Sequence, residues 1–447
     1  MIRRSNCAFI SSCPITSDHF MCKYTFYKKV NLSNIKKLEK ESFIVFLKKT
    51  FSRMQTIKNF NFNNERAIIR VDFNVPLNDN LEVTDKTRIE AAKQTISYIL
   101  SNGGSCVLIS HLGRPKGKDP KLSLANILET ASMVLGVRVK FSSTCVGEEA
   151  EKKAKKLKAG EVLLMENLRY HNEELNGDEN FSRQLSKLGT IYVNDAFGTA
   201  HRAHASTTII AKFFKNKKCV GALLEKEINA IDKVLKNGVS PILAILGGAK
   251  VSSKITIIES LLEKVDHLMI GGGMVYTFTK ALGGEIGNSI CEHDYCDYAL
   301  EILSKAKQKG VTVHLPIDVV AGKSFSNNTD KKVFDLMNIL DGWEAMDAGP
   351  ESEKKFHDLI MSCKTILWNG PMGVFEFSNF AKGTISVGKS IGDATAKGAF
   401  SLVGGGDSVA AVKQFGMENN MSYISTGGGA MLESLEGKKL PGIAALS

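Results

Sequence analysis

From Ala67 onward the chain alternates short, wholly apolar runs with longer stretches whose apolar residues recur at helical spacing. The runs are AIIRVDF, CVLISH, VLLMEN and TIYVND in the first half, then ILAILGG, HLMIGGG, TVHLP, TILWNG, FSLVGGG and YIST in the second. Strands without a polar face predict parallel sheets covered on both sides by helices. Ten strands exceed one comfortable sheet, so the pattern predicts an α/β protein of two doubly wound, Rossmann-like parallel-sheet domains joined by a hinge. The expected boundary is Cys219–Glu225, where an apolar run passes directly into a helix, giving domains at residues 54–219 and 220–431.

Residues 1–53 lack this rhythm and carry 11 Lys and Arg against three acids, most of the chain's net charge of +11. The remainder stands near balance at +3, which argues against a nucleic-acid footprint. The basic segment reads as a targeting presequence, a disordered tail, or upstream translation before a start at Met54. A secretory signal is disfavoured because NCAFISSCPI is broken by Asn, Ser and Pro. No apolar run is long enough to span a bilayer, and a cytoplasmic location is expected, with organelle import left open. The nine cysteines are read as forming no CxxC pair, no Cys/His cluster and no dense framework; they read as reduced thiols, and no structural zinc is expected.

Right-handed crossovers bring every strand's C-terminal end to one edge, where open α/β sheets bind ligands. In the first half that edge collects Asp72 and Asn74, Arg88, His111 and Arg114, Arg169, and then His201, Arg202 and His204. Four guanidinium groups that cannot lose their protons suit a small multiply charged anion. In the second half the ends are glycine-rich. GGAKVSSK is read as one helix face presenting Lys250 and Lys254, and LVGGGDS presents Asp407. Glycine turns admit close approach to phosphates, and a carboxylate there suits Mg²⁺. Facing domains of these two kinds imply phosphoryl transfer after closure.

Two nucleotide motifs compete. The dinucleotide fingerprint needs Gly or Ala where the chain has Tyr276, Val409 and Leu432. GTISVGKS matches the phosphate-loop pattern in full, which makes a P-loop NTPase using Lys389 the alternative reading. However, Phe380, Thr384, Val387, Ile391 and Ala394 form one apolar helical stripe. That stripe puts the motif inside a crossover helix, before its strand, with Lys389 facing solvent.

The ordered set RVDFNVP, SHLGRP, ENLRYHNEE, NDAFGTAHRAH, GGAKVSSK, GGGM, WNGPMGVFE, LVGGGDS and STGGGAMLESLEGKKLPG resembles phosphoglycerate kinase from about Ile57 to Ser447. The resemblance implies reversible transfer between 1,3-bisphosphoglycerate with MgADP and 3-phosphoglycerate with MgATP, by a monomer. It implies acid-substrate contacts at Asp72, Phe73, Asn74, Arg88, His111, Leu112, Gly113, Arg114, Arg169 and Arg202. Nucleotide contacts would be Lys250, Lys254, Asn369, Glu376, Gly405, Gly406, Asp407 and Ser408, with Asp407 nearest Mg²⁺. Arg88, Lys250, Gly405 and Gly428 would serve the phosphoryl group in flight, and residues 432–447 would return to the first domain. Ser253 and Ala345 stand where the family commonly has Asp and Gly, so altered nucleotide affinity is expected there.

Overall fold

The computed structural model describes residues 54–447, and the expectations for residues 1–53 lie outside them. The first sheet contains β1 (Arg66–Arg70), β2 (Ser105–Ile109), β3 (Val139–Ser142), β4 (Val162–Met165), β5 (Ile191–Asn194) and β6 (Lys218–Val220). Its order is β3-β4-β2-β1-β5-β6, parallel throughout. Two of these strands escaped the sequence pattern. β3 buries only its end residues, and β6 is three residues long, so neither makes a continuous apolar run.

After β7 (Ile242–Leu246) and β8 (His267–Ile270), a short β9 (Glu285–Ile286) precedes β10 (Thr312–His314). Then come β11 (Asp318–Gly322), β12 (Lys331–Asp335), β13 (Asn338–Ile339) and β14 (Glu344–Ala348). The chain returns through β15 (Thr365–Asn369), β16 (Phe400–Val403) and β17 (Tyr423–Ile424). The second large sheet is parallel in the order β10-β8-β7-β15-β16-β17, using all six runs read in the second half. β12, β11 and β14 form a separate antiparallel sheet that the sequence pattern did not reveal.

Both large sheets are buried on both faces. Ala67 and Ile69 face one apolar cluster while Ile68 faces another, and Leu243 and Ile245 alternate with Ala244 and Leu246 in the same way. The Thr87–Ser101 helix packs Ile89, Ala92, Ile96 and Ile99 against the first sheet, a spacing of three and four residues that defines its buried side. Burying each such side chain is worth about 1.5–3 kcal/mol.

The change of sheet falls in the Ala222–Leu235 helix, whose Leu224, Ile231 and Val234 belong to an apolar cluster shared by both sheets. The C-terminal segment comes back to the first sheet. Gly442 donates to the Ala200 carbonyl at 2.8 Å, and Lys218 donates to the Ala445 carbonyl at 2.7 Å. A Cβ on Gly442 would lie 3.0 Å from Ala200 backbone, so the approach depends on glycine.

Strand order reverses at β1 in the first sheet and at β7 and β15 in the second. Open α/β sheets bind ligands at such switch points.

Candidate active site

Beyond β1, the Asp72 carboxylate accepts from Arg88 Nη1 at 2.7 Å, and Asn74 Oδ1 accepts from the Gly113 amide at 2.8 Å. Asp72 is nearly buried, whereas Arg88 stays partly exposed, so the pair holds a guanidinium at the cleft wall. Arg169 donates to the Gly113 carbonyl at 2.7 Å, which fixes the loop after β2 from the end of β4. Asp72, Asn74, Arg88, His111, Gly113, Arg114, Arg169 and Arg202 line a single cavity of about 420 Å³. Phe73 and Leu112 are buried behind it and serve as packing.

Arg70 supports this wall, although sequence reading passed over it. Its side chain is buried at the end of β1, donating from Nε to Ser206 Oγ at 2.8 Å. Ser206 in turn donates to the buried Glu174 carboxylate at 2.6 Å. Arg70 Nη2 lies 3.1 Å from His111 Nδ1. Because guanidinium can only donate, His111 Nδ1 accepts, and the imidazole carries its proton on Nε2. Burial first, then Arg70, Arg169 and Arg88, hold His111 well below the ordinary histidine value. His111 is therefore a neutral N–H donor among fixed cations. The signal available in the sequence was an arginine interrupting the apolar run AIIRV.

The cavity's far wall comes from the end of the second sheet: Thr426, Gly427, Gly428 and Gly429. A Cβ on Gly427 would sit 2.2 Å from the Phe197 ring, so only glycine lets this turn approach the first sheet's loops. Gly428 has φ 49°, in the left-handed region that favours glycine. Glu227, buried in the Ala222–Leu235 helix, accepts from the Thr426 amide and hydroxyl at 2.7 Å and from Ser425 Oγ at 2.8 Å. Its carboxylate thus ties the helix between the sheets to the glycine turn.

Around β7 and β15, Gly370 and Gly247 pack backbone to backbone; a Cβ on Gly370 would lie 2.3 Å from the Gly247 carbonyl. Lys254 donates to Asn369 Oδ1, and Asn369 Nδ2 donates to the Gly404 carbonyl at 2.8 Å. Burial pushes Lys254 below the ordinary lysine value, with Asp407 opposing. Gly405, at φ 91°, caps the Gly406–Gln414 helix, and Ser408 Oγ accepts from the Gly370 amide at 2.5 Å. Asp407, in that helix's first turn, and Glu376 are exposed. The exposed Asp407 carboxylate offers the hard oxygen that a hydrated magnesium ion takes.

One expectation needs correction. Lys250 and Lys254 do not share a helix face, because the helix begins at Ile255. The preceding residues form a turn in which Glu292 accepts from both the Ser252 amide and hydroxyl, at 3.0 and 2.6 Å. Those bonds hold Ser252 in the turn that precedes the helix. The P-loop motif has the opposite outcome. Lys389 lies exposed within the Lys382–Ala396 helix, and Gly383 and Gly388 are buried. A Cβ on either glycine would come within 2.5 Å of Asp347 or Met417, respectively, so both serve helix packing.

The phosphoglycerate kinase family profile matches residues 57–438. The chain belongs to the phosphoglycerate kinase family. The phosphoglycerate kinase of Porphyromonas gingivalis is 52% identical, over 88% of this chain and 99% of that protein. A cytosolic phosphoglycerate kinase of Nicotiana tabacum is 48% identical, over 88% and 97%. The solved phosphoglycerate kinase of Coxiella burnetii superposes with a TM-score of 0.81 at 37% identity, covering 88% of this chain and 98% of that one. With membership comes the reaction class, a phosphotransferase with a carboxyl group as acceptor. Of the two departures from the phosphoglycerate kinase pattern, Ser253 is exposed in the lysine turn, and Ala345 is buried in β14, donating its amide to Ser289 Oγ at 3.0 Å.

Proposed function

We propose that this chain interconverts 1,3-bisphosphoglycerate plus MgADP and 3-phosphoglycerate plus MgATP by direct in-line transfer within the cleft. The observation that carries the reading is the single cavity shared by the first sheet's arginines and the second sheet's glycine turn. In the ATP-consuming direction, a carboxylate oxygen of the acid attacks the γ-phosphorus. The bond from that phosphorus to the bridging oxygen breaks, and ADP leaves. The attacking oxygen is already ionised, so no general base is required, and catalysis rests on positioning and charge neutralisation.

Arg114, Arg169 and Arg202 grip the acid's anionic groups, and His111 donates a neutral hydrogen bond. Asp72 and Asn74 set the wall, with Asp72 holding Arg88 ready for the transferring phosphoryl group. Lys250 meets that group from the other domain, and the Gly427–Gly429 amides complete the enclosure. Lys254, Asn369, Glu376 and the Gly405–Ser408 turn hold the nucleotide. Asp407 would hold the Mg²⁺ that arrives with it, and that ion neutralises charge on the phosphates.

Residues 54–219 and 220–431 act as the two closing domains, with residues 432–447 as the returning tail, and the enzyme works as a monomer. Among the described residues no helix is long and apolar enough to cross a membrane. The relatives include proteins named cytosolic and chloroplastic. We place this chain in the cytoplasm, and N-terminal sequencing of the native protein tests what becomes of residues 1–53.

The deciding experiment is ATP formation by the purified full chain from ADP, Mg²⁺ and 1,3-bisphosphoglycerate generated in situ. Absence of ATP formation in a folded preparation overturns the reading.

A further inference from the structure

Away from the cleft, residues 291–296 read Cys-Glu-His-Asp-Tyr-Cys. A single 3-10 turn over His293–Tyr295 joins Cys291 to the Cys296–Gln308 helix. This short turn folds the segment so that the sulfurs of Cys291 and Cys296 and a ring nitrogen of His293 all lie within 4.8 Å of one another. It is the one such cluster among the described residues. The expectation that the chain holds no Cys/His cluster is thereby corrected: the C-x-H-x-x-C spacing is not a CxxC pair, and a turn is what brings its three side chains together.

The distances suit a particular chemistry. Cys291 Sγ stands 3.8 Å from His293 Nδ1. Tetrahedral coordination with a metal–sulfur bond near 2.3 Å and a metal–nitrogen bond near 2.0 Å gives an S···N edge of about 3.5 Å. The Cys291–His293 pair therefore needs to close by only a few tenths of an ångström, and Cys296 Sγ lies within 4.8 Å of both. Cys296 opens a helix of 13 residues, which anchors its backbone beside the turn. Its recorded hydrogen bond is a long contact of 3.8 Å to the Thr277 carbonyl, which leaves the sulfur little to lose on binding a metal. His293 is exposed and both thiols are half-buried, so an ion can enter from solvent.

We propose that Cys291, His293 and Cys296 form a binding site for a zinc-class divalent cation, with three protein ligands and a fourth position open to solvent. Sulfur and imidazole donors exclude magnesium, so this site differs in kind from the carboxylate at Asp407. Binding releases two thiol protons to solvent and involves no change of oxidation state. Glu292 lies between the first two ligands, and its carboxylate holds Ser252 inside the Lys250–Lys254 turn. Metal binding would therefore stiffen that turn; its relevance to nucleotide binding rests on the function proposed above.

The test uses the full chain, reduced, chelator-stripped and free of any histidine tag, titrated with Zn²⁺ against a chromophoric chelator and separately with Co²⁺. The expected result is one equivalent of metal that depends on the cluster. Thiolate-to-cobalt absorption should appear in the wild type and be lost in Cys296→Ser. Affinity should fall at least about tenfold in both Cys296→Ser and His293→Gln. His293→Gln alters an exposed side chain, so it keeps the test valid should the cysteine variant unfold. Titrations identical in the wild type and both variants would overturn the site, as would a Cys291–Cys296 disulfide in freshly isolated protein. Amide exchange over Lys250–Lys254 should slow at least about threefold with Zn²⁺. Unchanged exchange would overturn the coupling through Glu292.

Discussion

Lys413 reaches from the second half of the molecule to Asp85 in the first, with Nζ 2.9 Å from Oδ2 and 3.1 Å from Thr87 Oγ1. Thr87 opens the helix that carries Arg88, and Lys413 closes the helix that begins beside Asp407. One ion pair thus spans the elements that present the two proposed ligands.

Both partners are more than a third exposed, so the pair is worth about 0–1 kcal/mol in global stability. Its effect should show in the cleft instead. Lys413→Met is expected to leave the urea midpoint nearly unchanged while increasing the ligand-free radius of gyration in small-angle scattering. An unchanged radius would show that the pair does not restrain the cleft. Burial alone would raise Asp85, but hydrogen bonds from Thr87 and Lys413 outweigh it and take the carboxyl down to about 2. Its folded value lies below the unfolded one, so its contribution is complete above about pH 4 and disappears as the pH falls toward 2.

Arg88 is held by Asp72 through Nη1 alone, which leaves the rest of its guanidinium fork for an anion. Lysine cannot reproduce that fork. Arg88→Lys should lower kcat by at least about 100-fold in the coupled assay while changing the dissociation constant for 3-phosphoglycerate by less than about tenfold. Near-normal turnover would remove Arg88 from the reaction. Loss confined to binding would reassign it as a ground-state contact.

Much of this arrangement could be read from the chain because the cavity is built at strand ends and buried strands are uniformly apolar. All ten expected strands are present. β3 and β6 were not legible because an edge strand need not be apolar on both faces. The cavity-lining arginines stood out as charges near the ends of apolar runs. Arg70, Glu174 and Glu227 did not, because their roles come from partners far away in sequence: Ser206 for the first two, and Ser425 and Thr426 for Glu227. The lysine turn was misread as helix for a similar reason, since Glu292 lies 40 residues from Ser252.

Lys389 tests the phosphate-loop alternative directly. Its side chain projects to solvent from the middle of a helix, and the pattern's two glycines are used for packing. Lys389→Ala should change neither ATP affinity nor kcat by more than about twofold and should shift stability by less than about 0.5 kcal/mol. A loss of nucleotide binding in this folded variant would revive the P-loop reading. By contrast, Gly388→Val should lower the urea midpoint, because its side chain would displace the end of Met417.

Asp195 supplies the last test, at the junction of the two halves. Its Oδ1 accepts from the Leu223 and Leu224 amides at 2.9 and 3.1 Å, capping the helix between the sheets, while Oδ2 is buried without a partner. Gly221 is required beside it, since a Cβ there would fall 2.2 Å from Oδ1. Burial pushes the Asp195 carboxyl up to about 7, opposed by the nearby Thr95 hydroxyl and the two amides. The folded value lies above that of an unfolded carboxyl. Asp195 therefore supports folding fully only below about pH 4, and that support is lost as the pH rises through about 7. Asp195→Asn keeps the accepting oxygen and cannot ionise. Between pH 5 and pH 8 the wild type should lose about 2 to 3 kcal/mol of stability relative to this variant. Parallel urea melts at the two pH values measure that difference, and equal gaps would mean that Asp195 is already ionised in the folded protein at pH 5.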